Sequence, residues 1–258
     1  MASAPLSPIS PTASLADDDV CYTRDMQVSF VKSQAEADNI RSFYFKPAGE
    51  FRYTAGQFIE LTIPHDKPDS RGTRRWFTLS SSPSQDLLSI TTKLNPEGSS
   101  FKRALQALEP GAELTMTGPM GDFVLPKLTQ TPLIFVAGGI GITPFHSMFQ
   151  WLADTGEQRP IKFIHAVSSE QEIIFQDTYE KAGIHATIIV KRPSAAWGGE
   201  RGELNAEMIM GLEAPSDDTL VYVSGPEGLV ESLQTALKNA GLKKHQLVGD
   251  FFPGYDKI

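Results

Sequence analysis

Leu133-Ile-Phe-Val-Ala-Gly-Gly-Ile-Gly-Ile-Thr-Pro144 is the stretch that decides the fold. Its first five residues, Leu133 to Ala137, are apolar or small, which suits a buried parallel strand. Glycines follow at 138, 139 and 141. Pro144 stands where a helix begins, and Phe145, Met148, Phe149, Trp151 and Leu152 continue at helical spacing. A strand, a glycine turn and a helix N-terminus together can hold a phosphate, because free amide N–H groups point at it and no side chain blocks its approach. A bare strand-to-helix turn has the same signature.

Downstream, strands and helices alternate. Strands are expected at Leu133–Ala137, Ile161–Val167, Ala186–Val190, Leu220–Ser224 and Gln246–Phe252, and helices over 144–154, 170–182, 205–211 and 228–240. That order predicts a parallel sheet covered by helices, with ligands at the carboxyl ends of the strands. Those ends carry Gly138–Thr143, Ser168-Ser169, Lys191-Arg192 and Ser224-Gly-Pro226.

Upstream, from Cys21 to about Lys127, the texture is β. Short strands are expected at Met26–Val31, Ser42–Lys46, Phe58–Ile63, Leu87–Thr92 and Glu113–Thr117. Pro and Gly turns separate them, as in an antiparallel barrel or sandwich. One helix, capped by Ser99 or Ser100, runs to Leu108. Arg74-Arg-Trp-Phe-Thr-Leu-Ser-Ser-Ser-Pro83 is chemically dense. An arginine fork suits phosphate, an aromatic two residues on lies on the same strand face, and a neighbouring hydroxyl can donate to a ring nitrogen. A polar strand with a core Trp or Phe has the same pattern.

The totals exclude several classes. A net charge of −8 argues against nucleic acid as the main partner. One cysteine, Cys21, rules out a disulfide framework or a four-cysteine iron–sulfur cluster within this sequence, and suits a reducing, cytoplasmic location. No apolar run reaches the roughly 20 residues of a membrane helix, so no transmembrane segment is expected. Met1–Ala16 has no charged side chain and lacks signal-peptide regions, so residues 1–20 read as a disordered leader. The five histidines, at 65, 146, 165, 185 and 245, show no metal-ligand spacing. His146 in a helix and His165 in a strand read as structural. No glycine-flanked serine elbow occurs.

Five motifs now stand in order: Tyr53-Thr-Ala-Gly-Gln-Phe58, Arg75-Trp-Phe-Thr78, Gly98-Ser-Ser100, Gly118-Pro-Met-Gly-Asp-Phe123 and Gly138-Gly-Ile-Gly-Ile-Thr-Pro144. Their order resembles the ferredoxin–NADP reductase-like flavoenzymes, from about residue 24 to the C-terminus. The resemblance implies an antiparallel Greek-key β-barrel flavin domain over 21–127 and an α/β parallel-sheet nucleotide-binding domain over 128–258. It implies bound FAD rather than FMN, with NADPH or NADH as hydride donor.

The same resemblance assigns residues. Arg75 would meet the flavin phosphates, Phe77 would stack on the isoalloxazine in place of a tyrosine, and Thr78 would approach flavin N5. Trp76 and Ser80 share that stretch as candidate contacts. Ile90, Thr91 and Thr92 would run beside the flavin, and Gly98, Ser99 and Ser100 would sit at its pyrophosphate. Gly138, Gly139, Gly141 and Thr143 resemble the nicotinamide nucleotide's pyrophosphate loop. Ser224, Gly225 and Pro226 resemble a Cys-Gly-Pro motif near the nicotinamide. Arg192 and Arg201 resemble positions that meet a 2′-phosphate and so lean towards NADPH; Ser168 stands where an arginine is frequent, and Glu170 argues the other way. Asp250 is the candidate acid, and Phe252 or Tyr255 the candidate C-terminal stacking ring. Thr78, Ser224, Asp250 and Phe252 are therefore the candidate catalytic set.

The implied acceptor is a one-electron carrier such as ferredoxin or flavodoxin, docked on a local basic face drawn from Lys67, Arg71, Arg74, Lys102, Arg103, Lys243 and Lys244. The alternative is an electron-transfer subunit or reductase component of a larger oxygenase or redox complex.

Overall fold

The computed structural model describes residues 24–95, 97–212 and 215–252. The expected leader at 1–20 and Tyr255 lie outside the described residues.

The first sheet contains β1 (Arg24–Ala37), β2 (Ile40–Pro47), β3 (Phe58–Thr62), β4 (Arg74–Thr78), β5 (Leu88–Lys93) and β6 (Glu113–Met120), in the order β4-β3-β6-β1-β2-β5. Every pairing is antiparallel, and β6 enters between β1 and β3 in Greek-key fashion. The sheet closes on itself just after β4, where Leu79 bridges Ile90 and the Ser80 N–H donates to the Ser89 carbonyl at 2.8 Å. Alternate residues point inward, among them Val28, Phe30, Phe43, Phe45, Ile59 and Leu61. β1 runs beyond the expected Val31 to Ala37. Its polar second half is held by the ladder to β2 rather than by burial. Helix α1 (Ser100–Gln106) plugs one end of the barrel with fully buried Phe101 and Leu105.

The second sheet contains β7 (Leu133–Gly138), β8 (Ile161–Val167), β9 (Ala186–Val190), β10 (Glu200–Arg201), β11 (Leu220–Pro226) and β12 (Leu247–Phe252). Its order is β10-β9-β8-β7-β11-β12, parallel throughout. The strand order reverses beside β7, so the crevice past its carboxyl end is the switch point where ligands bind in such sheets. Helices α2 (Ile142–Thr155), α3 (Gln176–Lys181), α4 (Ala206–Leu212) and α5 (Glu227–Asn239) connect the strands. All six residues of β7 are buried, which explains its unbroken apolar run.

The helix expected over 170–182 is interrupted. A 3-10 turn at Glu170–Glu172 is followed by a break, and α3 starts only at Gln176. Ile174 is buried in the core, and Phe175 adopts φ +62, which a helix does not allow.

The two units are packed together. Ile40 and Ala55 from the barrel join Phe123, Ile140 and Met148 in one buried cluster. Lys93 Nζ pairs with Glu172 at 2.6 Å across the seam, both side chains mostly buried.

Candidate functional site

The half expected to hold the flavin is built on β4 and α1. The Arg75 side chain is only 14 % exposed. Its Nη2 donates to Asp69 Oδ1 at 2.8 Å, and Nη1 donates to the carbonyls of Arg71 and Arg74 at 2.8 and 2.6 Å. The guanidinium lies over the Phe101 ring, 5.3 Å from its centroid. Arg75 Nε is buried with no hydrogen-bond partner. Asp69 also reaches the first turn of α1: Oδ2 accepts from the Ser100 N–H at 3.1 Å, and the Asp69 N–H donates to Ser100 Oγ at 2.9 Å. One carboxylate thus sits on both donors that the motifs assign to a flavin pyrophosphate. Burial pushes its pKa up. The Arg71 N–H, the Arg75 charge and the hydrogen bonds from Arg75 and Ser100 outweigh that and hold it below the usual carboxylate range.

Phe77 points into the barrel, 8 % exposed, with its ring 5.8 Å from Phe101. Trp76, on the opposite face of β4, is 63 % exposed and lies 6.2 Å from the Phe58 ring. Thr78 is buried at the end of the strand. Ser80 and Thr91 spend their hydroxyls on each other at 2.8 Å, in a buried chain that continues to Ser89 and Ser42. Ile90 and Thr92 are buried on β5. Ser99 Oγ caps α1 by accepting from the Lys102 N–H at 3.3 Å, with Gly98 just before it.

The half expected to hold the nucleotide sits where β7 gives way to α2. Gly139 adopts φ +53, a region that favours glycine. Gly141 has no room for a side chain, since a Cβ there would lie 2.2 Å from the Ser224 carbonyl oxygen. Thr143 is buried and donates from Oγ1 to the Ile140 carbonyl at 3.1 Å, which tightens the turn. His165 on β8 supports the same turn, its Nε2 lying 3.3 Å from the Gly139 carbonyl. Burial pulls the His165 pKa down to about 4. Ser224 is fully buried and its Oγ has no hydrogen-bond partner. Register sets Ser224 between Ala137 and Asp250, and Pro226 beside Phe252, so the expected catalytic residues Ser224 and Asp250 are strand neighbours.

At the carboxyl ends of β8 and β9 the Arg192 N–H donates to the Ser168 carbonyl at 3.0 Å. Glu170 accepts from the Ser194 N–H at 2.7 Å. Arg201 donates to the carbonyls of Ser194 and Trp197. Hydrogen bonds from Ser194, with the Arg201 charge, hold the Glu170 carboxyl below its usual range. Ser168, Arg192 and Arg201 are therefore gathered in one loop cluster, with Glu170 among them.

The tertiary structure brings the two halves together. Strand β5, with Thr91 and Thr92, contacts the Gly139–Gly141 turn. From α2, His146 Nδ1 lies 2.7 Å from the Ser80 carbonyl and Ser147 Oγ donates to the Ser81 carbonyl at 2.5 Å. The motif reading missed Asp69, His146 and Ser147. The loop before β4 carries no pattern that announces Asp69, and a helical histidine has no sequence mark of an interdomain contact.

The expected basic face is split. Lys67, Arg71 and Arg74 are exposed beside Arg75, whereas Lys243 and Lys244 precede β12, at the amino end of the parallel sheet and away from the site.

Two buried polar atoms without hydrogen-bond partners suit the expected cofactors. Arg75 Nε offers an unused donor in the flavin half and Ser224 Oγ an unused hydroxyl in the nucleotide half. Among the described residues, no cluster of histidine, cysteine and carboxylate side chains could hold a metal, and no helix is long and apolar enough to cross a membrane.

An antiparallel Greek-key barrel joined to a parallel six-stranded sheet is the ferredoxin reductase-like two-domain fold. Residues 135–235 match the family described as the oxidoreductase NAD-binding domain. The chain is 31 % identical over 217 residues to the stachydrine N-demethylase reductase subunit Stc4 of Rhizobium meliloti, covering 80 % of this chain and 60 % of that protein. It is 29 % identical over 214 residues to a glycine betaine monooxygenase reductase subunit of Chromohalobacter salexigens, covering 80 % and 55 %. The chain thus spans little more than half the length of these relatives. Among solved structures, the fold superposes on the Amycolatopsis cytochrome P450 reductase GcoB with TM-score 0.76 at 20 % identity, covering 89 % of this chain and 70 % of that one. It superposes on the flavohem-like FAD/NAD-binding domain of nitric oxide dioxygenase from Vibrio cholerae with TM-score 0.74 at 22 % identity, covering 89 % and 99 %.

Proposed function

We propose that this chain is an NAD(P)H-dependent FAD reductase that delivers electrons to a partner redox protein, most simply the oxygenase component of a two-protein system. The observation that carries the reading is the contact of β5 with the Gly139–Gly141 turn, which sets the candidate flavin strand beside the candidate nucleotide loop. The reductase-subunit names of Stc4 and of the glycine betaine enzyme support the oxygenase partner over a ferredoxin or flavodoxin.

FAD, when bound, accepts a hydride from the nicotinamide and releases the two electrons singly. The protein's part is to bind, align and exclude water. Arg75 and the α1 start, through Ser99 and Ser100, would hold the flavin pyrophosphate, with Asp69 yielding or sharing those donors. Thr78 would present its hydroxyl to the flavin edge. The turn at Gly138, Gly139 and Gly141 would hold the nucleotide pyrophosphate with its amides. Ser224, with Asp250 beside it and Gly225 and Pro226 after it, would orient the nicotinamide, and the C-terminal Phe252 would border that position. Arg192 and Arg201 would favour a 2′-phosphate and Glu170 a free ribose hydroxyl. With one cysteine, this sequence offers no four-cysteine cluster within itself.

Anaerobic titration of the flavin-loaded protein with NADH and with NADPH tests this. Bleaching of the flavin band by at least one nucleotide is expected, followed by reoxidation on adding an oxygenase component. A flavin that neither nucleotide reduces overturns the proposal.

A further inference from the structure

Helix α2 carries two features within two turns. Its start is the glycine turn, and one turn later come His146 and Ser147. Both of these side chains leave the nucleotide domain and reach the barrel segment that follows Thr78. We infer that His146 is a positioning residue: its hydrogen bond to the Ser80 carbonyl fixes the spacing between the Thr78 end of β4 and the glycine turn, and thereby the hydride-transfer distance. This rests on the reductase reading above.

The barrel side of the contact is rigid. Leu79 is bridged to Ile90, and the Ser80 N–H donates to Ser89. Ser80 Oγ is bound into the chain of Ser89 and Thr91, and Tyr53 OH donates to the Ser81 carbonyl at 3.0 Å. The carbonyls of Ser80 and Ser81 are therefore presented on a fixed frame. A carbonyl can only accept, so His146 carries its proton on Nδ1. Nε2 is then an acceptor, and Thr178 Oγ1 lies 3.2 Å from it. The Phe175 ring stacks on the imidazole with centroids 3.7 Å apart and planes 23° apart. Phe175 holds a left-handed backbone conformation where it makes this stack. Burial keeps the imidazole neutral, with a pKa of about 4, so one tautomer serves throughout the neutral range. The histidine is thus held at both ring nitrogens and on one face, and spans the seam between domains.

Transfer between two bound rings depends steeply on their separation, and a displacement of about 1 Å can cost on the order of a hundredfold. Ser147 makes the neighbouring tie, to the Ser81 carbonyl, whereas Lys93 with Glu172 and Ser84 with Asp154 lie farther from Thr78 along the chain. The His146 tie is two residues from Thr78 and four from the first residue of α2.

The test uses flavin-loaded full chains of His146→Leu, which removes the donor, and His146→Asn, which keeps a donor at the Nδ1 position. Stopped-flow reduction at saturating nucleotide should slow about tenfold or more in the leucine variant, with the nucleotide Kd changed by less than about threefold. The asparagine variant should stay within about threefold of the wild type. If the leucine variant does not fold, His146→Gln, whose amide extends to the Nε2 position instead, takes its place and should be slow. A leucine or glutamine variant with wild-type transfer, or an asparagine variant as slow as they are, overturns the inference. Hydrogen–deuterium exchange over residues 78–85 in the flavin-free chain supplies an independent readout. Exchange there should rise in the leucine variant and not in the asparagine variant, and unchanged exchange overturns the inference. A wild-type flavin that neither nucleotide reduces would overturn the reductase reading alone, and the exchange measurement would still decide the contact.

Discussion

Asp69 and Arg75 form a 2.8 Å ion pair in which the carboxylate also accepts from the first backbone N–H of α1. An anionic side chain therefore sits on the donor set proposed for the flavin pyrophosphate. Arg75→Leu should weaken flavin retention by roughly tenfold to a hundredfold, from the loss of charge-assisted hydrogen bonds worth about 1.5–3 kcal/mol. Asp69→Asn should tighten it severalfold by removing the competing charge. Fluorescence quenching of titrated FAD and FMN measures both, and weaker binding by the asparagine variant would show that Asp69 serves to aim Arg75 instead.

Ser224 separates function from stability. Its buried hydroxyl has no partner, so Ser224→Ala should leave Tm unchanged or slightly raised in the nucleotide-free protein. Flavin reduction by the nucleotide should nonetheless slow by about tenfold. A variant that reduces its flavin normally would remove Ser224 from the site.

His146 and His165 make stability depend on pH. Both are held near pKa 4 in the fold, against an ordinary value of 6.5. Between those values the unfolded chain binds more protons. Their contribution is therefore fully present above about pH 6.5 and is lost as pH falls towards 4. For buried His165 the shift amounts to about 3 kcal/mol. Urea denaturation at a series of pH values should show the decline, and His165→Leu should flatten it. An unchanged slope in that variant would mean that other groups carry the acid sensitivity.

The Ser168–Arg201 cluster is proposed to set nucleotide choice. Glu170→Gln should raise the ratio of NADPH to NADH kcat/KM, and Arg192→Ala should lower it, each by about fivefold to tenfold. If both ratios stay constant, the 2′ position of the ribose lies elsewhere.

Docking on the Lys67, Arg71 and Arg74 face should be electrostatic. Partner reduction should slow severalfold as salt rises from about 50 to 300 mM, while nucleotide-driven flavin reduction holds steady. Salt-independent partner reduction would place the docking surface elsewhere.

The architecture was legible in the sequence because its signals are local. The buried β7 run, the glycine turn and the alternation of strands and helices mark the parallel sheet, and Pro/Gly turns between alternating strands mark the barrel. The helix expected over 170–182 starts only at Gln176, because the core takes in Ile174 and Phe175 adopts a left-handed backbone conformation. The residue types of the site, an arginine, hydroxyls and glycines at set spacing, were visible by themselves. What only the tertiary structure decided is how they meet. Asp69 reaches Arg75 from six residues away and Ser100 from 31, and His146 reaches Ser80 across 66. Contacts of that range come from chain closure and packing, which leave no periodic trace in the sequence.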